Sequence, residues 1–142
     1  MKLSRTVAYA VQASLHLAKE NSSEPVPCSR LAAEGQMPER FLLQILRNLV
    51  AHGILTSTRG VDGGYSLGRD ADEISLLDII EAIDGPLAPN LPLGEGLPAE
   101  SRSRLKEAIS DVTEESRRQL ATINLVHLLP KPAVELVGKD AE

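Results

Sequence analysis

Residues 35–69, GQMPERFLLQILRNLVAHGILTSTRGVDGGYSLGR, constrain the fold more than any other part of the chain. Pro38 suits the first position of a helix, where its missing N–H costs nothing. Glu39, in the same turn, favours the helix dipole. Phe41, Leu42, Ile45, Leu46 and Leu49 recur at helical spacing as an apolar stripe to about His52, and Gly53 closes the helix. Arg40, Gln44, Arg47 and Asn48 lie elsewhere on the cylinder, so the helix is too polar on one face to be core alone. Residues 54–57 and 65–67 read as two strands. Between them lies TRGVDGG, in which Gly60, Gly63 and Gly64 permit the positive-φ conformations of a hairpin tip.

Immediately upstream, CSRLAAE (28–34) reads as a short helix ended by Gly35, with QMP making the turn. Two helices joined by a short turn containing Gly match a helix-turn-helix. Such a pair occurs in any small bundle, but helix, helix, hairpin in that order is far more specific. The expected fold class is therefore mainly α with a small β-hairpin: a winged helix-turn-helix. Its helix 38–52 would be a DNA-recognition helix, with Arg40, Gln44, Arg47 and Asn48 able to reach base edges or phosphates. Its wing would place Arg59 where a narrow, electronegative minor groove attracts it.

The remaining segments hold or duplicate this unit. Residues 3–20 form a helix on Leu3, Val7, Ala10, Val11, Leu15 and Ala18. Lys2, Ser4 and Arg5 at its start are candidate phosphate contacts, which position a protein without reading sequence. Residues 75–84 form another helix, with Ser75 as N-cap and Asp78 completing an acidic capping box. GPLAPNLPLGEGLPAE (85–100) has no period, and its prolines and glycines favour a flexible loop, the alternative being an ordered effector loop. Residues 101–128 read as the longest helix, with the narrow stripe Leu105, Ile109, Val112, Ser116, Leu120 and Ile123 on an otherwise charged cylinder. That pattern suits pairing with a second helix, and Leu105, Ile109, Val112, Leu120 and Ile123 are the candidate dimerisation residues. Packing on its own domain is the other reading. The organisation expected is thus a DNA-binding domain over 1–84, a loop over 85–100, a dimerisation helix over 101–128 and a flexible tail over 129–142.

Composition qualifies this picture. Aromatics are 2% of the 142 residues, so the core must be built from Leu, Ile, Val and Ala, which favours a small helical body. The formal net charge of −5 argues, taken alone, against a nucleic-acid binder. The charge is uneven: 8 Lys/Arg face 6 Asp/Glu in residues 1–70, against 7 and 14 in residues 71–142. One cysteine excludes an intrachain disulfide, no signal peptide is visible, and no apolar run spans a bilayer, so the expected compartment is the cytoplasm with no membrane partner.

The chain resembles the Rrf-two family of bacterial winged-helix transcription regulators, whose members include IscR, NsrR and CymR. The likeness covers residues 1 to about 128. It runs through MKLSRTVAYAVQASLHLA, the LAAE helix and PERFLLQILRNLVAHGIL to TRGVDGGYSLGRDADEISLLDIIEAIDGPL and the ATINLVHLL ending. The resemblance implies a cytoplasmic homodimer acting as a repressor on a pseudo-palindromic double-stranded operator. Helix 38–52 would lie in the major groove, and the wing Arg59, Gly60, Gly63, Gly64 and Tyr65 along the adjacent backbone and minor groove. Asp62 departs from that picture, since an acid at the wing tip repels phosphate. The loop departs further. Cluster-binding members carry three cysteines there, whereas residues 87–100 have none, so no iron–sulfur cofactor is expected in the usual place. Some cluster-free members use a cysteine as a redox switch, which makes Cys28 a candidate redox residue. Its position near a helix start would lower a thiol pKa, although a small packed residue is the preferred reading. The effector, a small molecule or a protein, is not specified by the sequence.

Other functions find less support. His16, His52 and His127 lack ligand spacing, so no metal is expected. No triad, paired carboxylates, phosphate loop or dinucleotide motif is apparent, so an enzyme is not expected. Tyr65 reads as hairpin packing more than contact. Glu39 could accept from a cytosine amine or simply favour the helix start. The alternative function is a winged-helix module that binds protein rather than DNA.

Overall fold

The computed structural model of the chain describes residues 1–20 and 24–131, so the tail expected beyond residue 131 lies outside the described residues. Its elements in order are α1 (Arg5–Glu20), α2 (Cys28–Gly35), α3 (Glu39–Ala51), β1 (Leu55–Thr58), β2 (Gly64–Leu67), a 3-10 turn (Ala71–Glu73), α4 (Leu76–Asp84), α5 (Ala99–Thr122) and α6 (Leu125–Leu128). This is the mainly helical fold with one small antiparallel hairpin that the periodicities predict.

α1 begins two residues later than expected, at Arg5. Ser4 caps it, its hydroxyl accepting from the Val7 N–H at 3.1 Å, and Leu3 is left outside the helix and exposed. The buried face is made of small residues: Val7, Ala10, Ala13, Ser14, Leu17 and Ala18. Such a surface lets α3 and α4 approach closely. Ser14 tolerates full burial because its hydroxyl donates to the Ala10 carbonyl at 2.8 Å. From α3, Leu42, Ile45, Leu46 and Leu49 enter the core. Each such side chain contributes about 1.5–3 kcal/mol of burial. Phe41, expected in that stripe, is instead 44% exposed. It lies roughly 90° round the cylinder from the middle of the buried set at about 100° per residue.

The helix ends are set by left-handed residues. After α3, Gly53 (φ +75°) closes a Schellman turn, with Ile54 N–H donating to Leu49 and Gly53 N–H to Val50. After α2 the same role falls to Gln36 (φ +54°), not to Gly35 as the sequence suggests. At Gly35 a Cβ would stand 2.6 Å from Met37 Cε and 3.0 Å from Gln12 Nε2, the movable ends of two side chains. The Ser75–Asp78 capping box of α4 forms as expected, both bonds being 3.0 Å. Such a cap is worth about 1 kcal/mol.

The long C-terminal helix departs from expectation. It begins at Ala99 and breaks at Ile123–Asn124, where both residues are extended. Asn124 then caps the short α6 through His127. The break has a packing cause. Leu76 N–H donates to the Ile123 carbonyl at 2.8 Å and Leu125 N–H to the Ile74 carbonyl at 3.1 Å, and Leu125 is fully buried in the main core. A continuous helix would point that leucine elsewhere. Leu120 joins Val7 and Ile80 in a second small core. An Arg117–Glu81 ion pair fastens the same end of α5 to α4.

Candidate nucleic-acid interface

The hairpin pairs Leu55 with Leu67, Thr56 with Ser66, Ser57 with Tyr65 and Thr58 with Gly64, leaving Arg59–Gly60–Val61–Asp62–Gly63 as its tip. The three glycines act differently. Gly60 (φ +109°) and Gly64 (φ +151°) take the conformations expected of them. Gly63 does not: it is required because a Cβ would meet the Thr58 carbonyl oxygen at 2.2 Å. Its N–H closes the tip onto the Gly60 carbonyl at 3.0 Å.

Sequence reasoning missed what holds the wing. Val26 pairs with Tyr65 across an isolated antiparallel bridge, N–H to carbonyl in both directions at 2.9 and 2.8 Å. The backbones meet so closely that a Cβ on Gly64 would lie 2.4 Å from the Val26 carbonyl. A glycine inside a strand pattern is the signal that could have revealed this approach. Tyr65 is half-buried and packs against the core, in keeping with its reading as a packing residue.

The structure brings much of the expected site together. Arg47 of α3 and Arg59, Gly60, Gly63, Gly64 and Tyr65 of the wing line one concavity of about 560 Å³, with Pro27, Cys28, Val50, Ser57 and Thr58. Arg40 and Gln44 are exposed on α3, and Asn48 is half-buried beside them. Lys2 is placed apart, lining a small cavity with Ile80, Asp84, Leu87 and Leu120. Ser4 is occupied as the cap of α1 and Arg5 is exposed.

The cations divide into two groups. Arg30, Arg69, Arg104, Arg117 and Arg118 are each held by carboxylates. Among the described residues, Lys2, Arg5, Lys19, Arg40, Arg47, Arg59, Arg102, Lys106 and Lys131 make no ion pair, and neither does Asp62 at the wing tip. The face formed by α3 and the wing therefore carries three unpaired arginines, Arg40, Arg47 and Arg59, against two unpaired carboxylates, Glu39 and Asp62, a small positive excess despite the acidic total. The surplus acid lies elsewhere, much of it between Asp70 and Asp84, where six carboxylates stand with no Lys or Arg among them.

Two other groups bear on function. Cys28 opens α2 and its thiol points to the Glu39 carbonyl, 3.8 Å away. Burial and then the nearby Glu39 carboxylate push its pKa up, not down as the helix start suggests. Among the histidines, His16 does meet two carboxylates: its Nε2 is 2.6 Å from Glu34 and 3.6 Å from Glu20. Arg30 bridges both acids at 2.9 and 3.0 Å, and its hydrogen bond is the main cause of a lowered Glu34 pKa. This is an ion network tying α1 to α2.

Comparison with known proteins now decides the family. The profile described as "Rrf2: Iron-dependent Transcriptional regulator" matches residues 3–131. The chain belongs to the Rrf2 family. It is 31% identical to the HTH-type transcriptional regulator CymR of Bacillus subtilis over 116 residues, 80% of this chain and 84% of that one. It is 30% identical to the HTH-type transcriptional regulator IscR of Xenorhabdus nematophila over 135 residues, 94% of this chain and 82% of that one. A higher identity, 42% over 96 residues, is to the Mycobacterium tuberculosis HTH-type regulator Rv1287; it covers 68% of this chain and 60% of that relative. The solved structure of B. subtilis CymR superposes with a TM-score of 0.73 at 28% identity, covering 90% and 95% of the two chains. These Rrf2 relatives are transcription regulators, not enzymes. No helix of the described residues is long and apolar enough to cross a membrane.

The "iron-dependent" description raises an iron–sulfur cluster or haem, which the residues of the α4–α5 loop do not fit. The loop between α4 and α5 offers no thiol or imidazole. Its backbone is instead tied by Leu87 N–H to Glu81 and by Arg102 to the Gly94 carbonyl, each at 2.8 Å. The single cysteine faces a backbone carbonyl at the start of α2. Haem and iron–sulfur centres need thiolate, imidazole or comparable ligands in sets.

Proposed function

We propose that this chain is a homodimeric, sequence-specific DNA-binding repressor that does not depend on an iron–sulfur cluster in the α4–α5 loop. The observation that carries the reading is the unpaired set Arg40, Arg47 and Arg59, with Gln44 and Asn48, presented by α3 and the wing. Cations left without carboxylate partners on one face are what a polyanion requires. α3 supplies side chains for base edges in a major groove. The wing, fixed by its bridge to Val26, presents Arg59 to the neighbouring backbone and minor groove.

The homodimer reading rests on α5. Leu120 is consumed by its own protomer and Ile123 is half-buried at the helix break. Of the five stripe residues, Leu105, Ile109 and Val112 are left to pair with a second copy, Val112 being 63% exposed. The operator would then be a pseudo-palindrome read by two copies of α3. The effector remains a small molecule or a protein partner that acts through this assembly.

Selection of genomic fragments by the purified chain, followed by affinity measurements over a salt series, tests the DNA reading. A discrete sequence should emerge, with affinity falling steeply as salt rises. Arg59→Ala should weaken binding and reduce the slope of log K against log salt by about 0.9 if its contact is to phosphate. Asp62→Asn should act in the opposite direction on affinity. No enrichment of any sequence, with retention of a protein partner instead, would favour the protein-binding alternative.

A further inference from the structure

The sole phenylalanine of the chain, Phe41, is exposed at the edge of the polar face of α3. The core of α3 is complete without it: Leu42, Ile45, Leu46 and Leu49 are each 2% exposed or less. Phe41 belongs to neither apolar cluster of the described residues. It is nonetheless held in place. Tyr9 packs on the main core and meets the Phe41 ring edge-on, with centroids 5.9 Å apart and planes at 79°. Edge-to-face pairs of this kind are favourable and directional. The ring is therefore pinned on its α1 side and open on the other.

The open side borders the polar face of α3. Arg40 precedes it, and Gln44 and Asn48 follow three and seven residues later, on the same row of the helix surface. Phe41 lies in the first turn, the part of a recognition helix that enters a groove first. A major groove presents one apolar group to such a ring, the C5-methyl of thymine. Gln44, on the same row, has the donor and acceptor that suit adenine N7 and N6. The two residues together are chemically fitted to A·T pairs.

We infer that Phe41 is a specificity residue that reads a thymine C5-methyl in each operator half-site, held in register by Tyr9. The inference rests on the DNA-binding reading above, and its test separates the two. The probe is a duplex carrying the selected operator, with each thymine replaced in turn by deoxyuridine, which removes only the methyl. With the wild-type chain, replacement at one thymine per half-site should weaken binding about fourfold, the worth of one buried methyl-sized group. Phe41→Ala should bind the unmodified duplex more weakly and lose that sensitivity, while Phe41→Leu retains part of it. Thermal unfolding of the variants checks that the fold survives, as expected for a side chain outside the core. Operator binding that is indifferent to every replacement, or equally sensitive in Phe41→Ala, overturns the inference and leaves the DNA-binding reading standing. Failure to select any operator overturns both.

Discussion

Cys28 shows how local geometry reverses a rule of thumb. A cysteine at a helix start is ordinarily activated, because the positive end of the dipole favours thiolate. Here the thiol is half-buried and faces a carbonyl, with the Glu39 carboxylate nearby, and both burial and that charge favour the neutral form. The sign follows. A raised folded pKa means that the folded state holds the proton more firmly than the unfolded chain. Its contribution to stability is complete below the unfolded thiol pKa and is lost as pH rises through the folded one. Alkylation by iodoacetamide at pH 8 should therefore be slower than for a cysteine in a short peptide, and should accelerate only above the ordinary thiol range. Alkylation faster than the peptide would reinstate Cys28 as a redox candidate. Peroxide treatment should leave operator binding of wild type and Cys28→Ser alike.

At the scale of elements, the wing and α5 make separate predictions. The wing is positioned by a backbone approach that tolerates no side chain at Gly64. Gly64→Ala combines a clash with Val26 and a positive φ, and should cost about 1–3 kcal/mol in urea unfolding. It should weaken operator binding by more than Gly94→Ala, a control site with open space around it. α5 is anchored at one end by Leu120 and the Arg117–Glu81 pair. Val112→Asp, on the exposed part of the stripe, should shift sedimentation toward monomer while leaving helical content intact. A mass unchanged by that substitution would move the dimer contact elsewhere. These elements also show what a sequence discloses. The α3 stripe and the Ser75 box are legible because their causes are local. The break at Ile123 and the Val26 bridge are not, because each depends on residues distant in the chain: Ile123 and Asn124 answer to Ile74 and Leu76, and Val26 to Tyr65. The exposure of Phe41 follows from its place on the α3 cylinder, and only its contact with Tyr9 depends on a distant residue.

For the whole molecule, the opposition between a net charge of −5 and a DNA-binding role dissolves once the charges are placed. Carboxylates pair with Arg30 of α2, with Arg69 ahead of α4 and with Arg104, Arg117 and Arg118 of α5, whereas Arg40, Arg47 and Arg59 stay unpaired on the face formed by α3 and the wing. Composition reports the sum, and only the fold reports the partition. Two copies joined along α5 must present two copies of α3 to one face of a duplex. Hydroxyl-radical footprinting of the selected operator, with complex mass measured by sedimentation, tests this directly. The prediction is one dimer per duplex and a two-fold symmetric footprint on one face, its half-sites about 10 bp apart or a multiple of that. Asymmetric protection by a single chain, or no protection at any concentration that saturates retention, would contradict it.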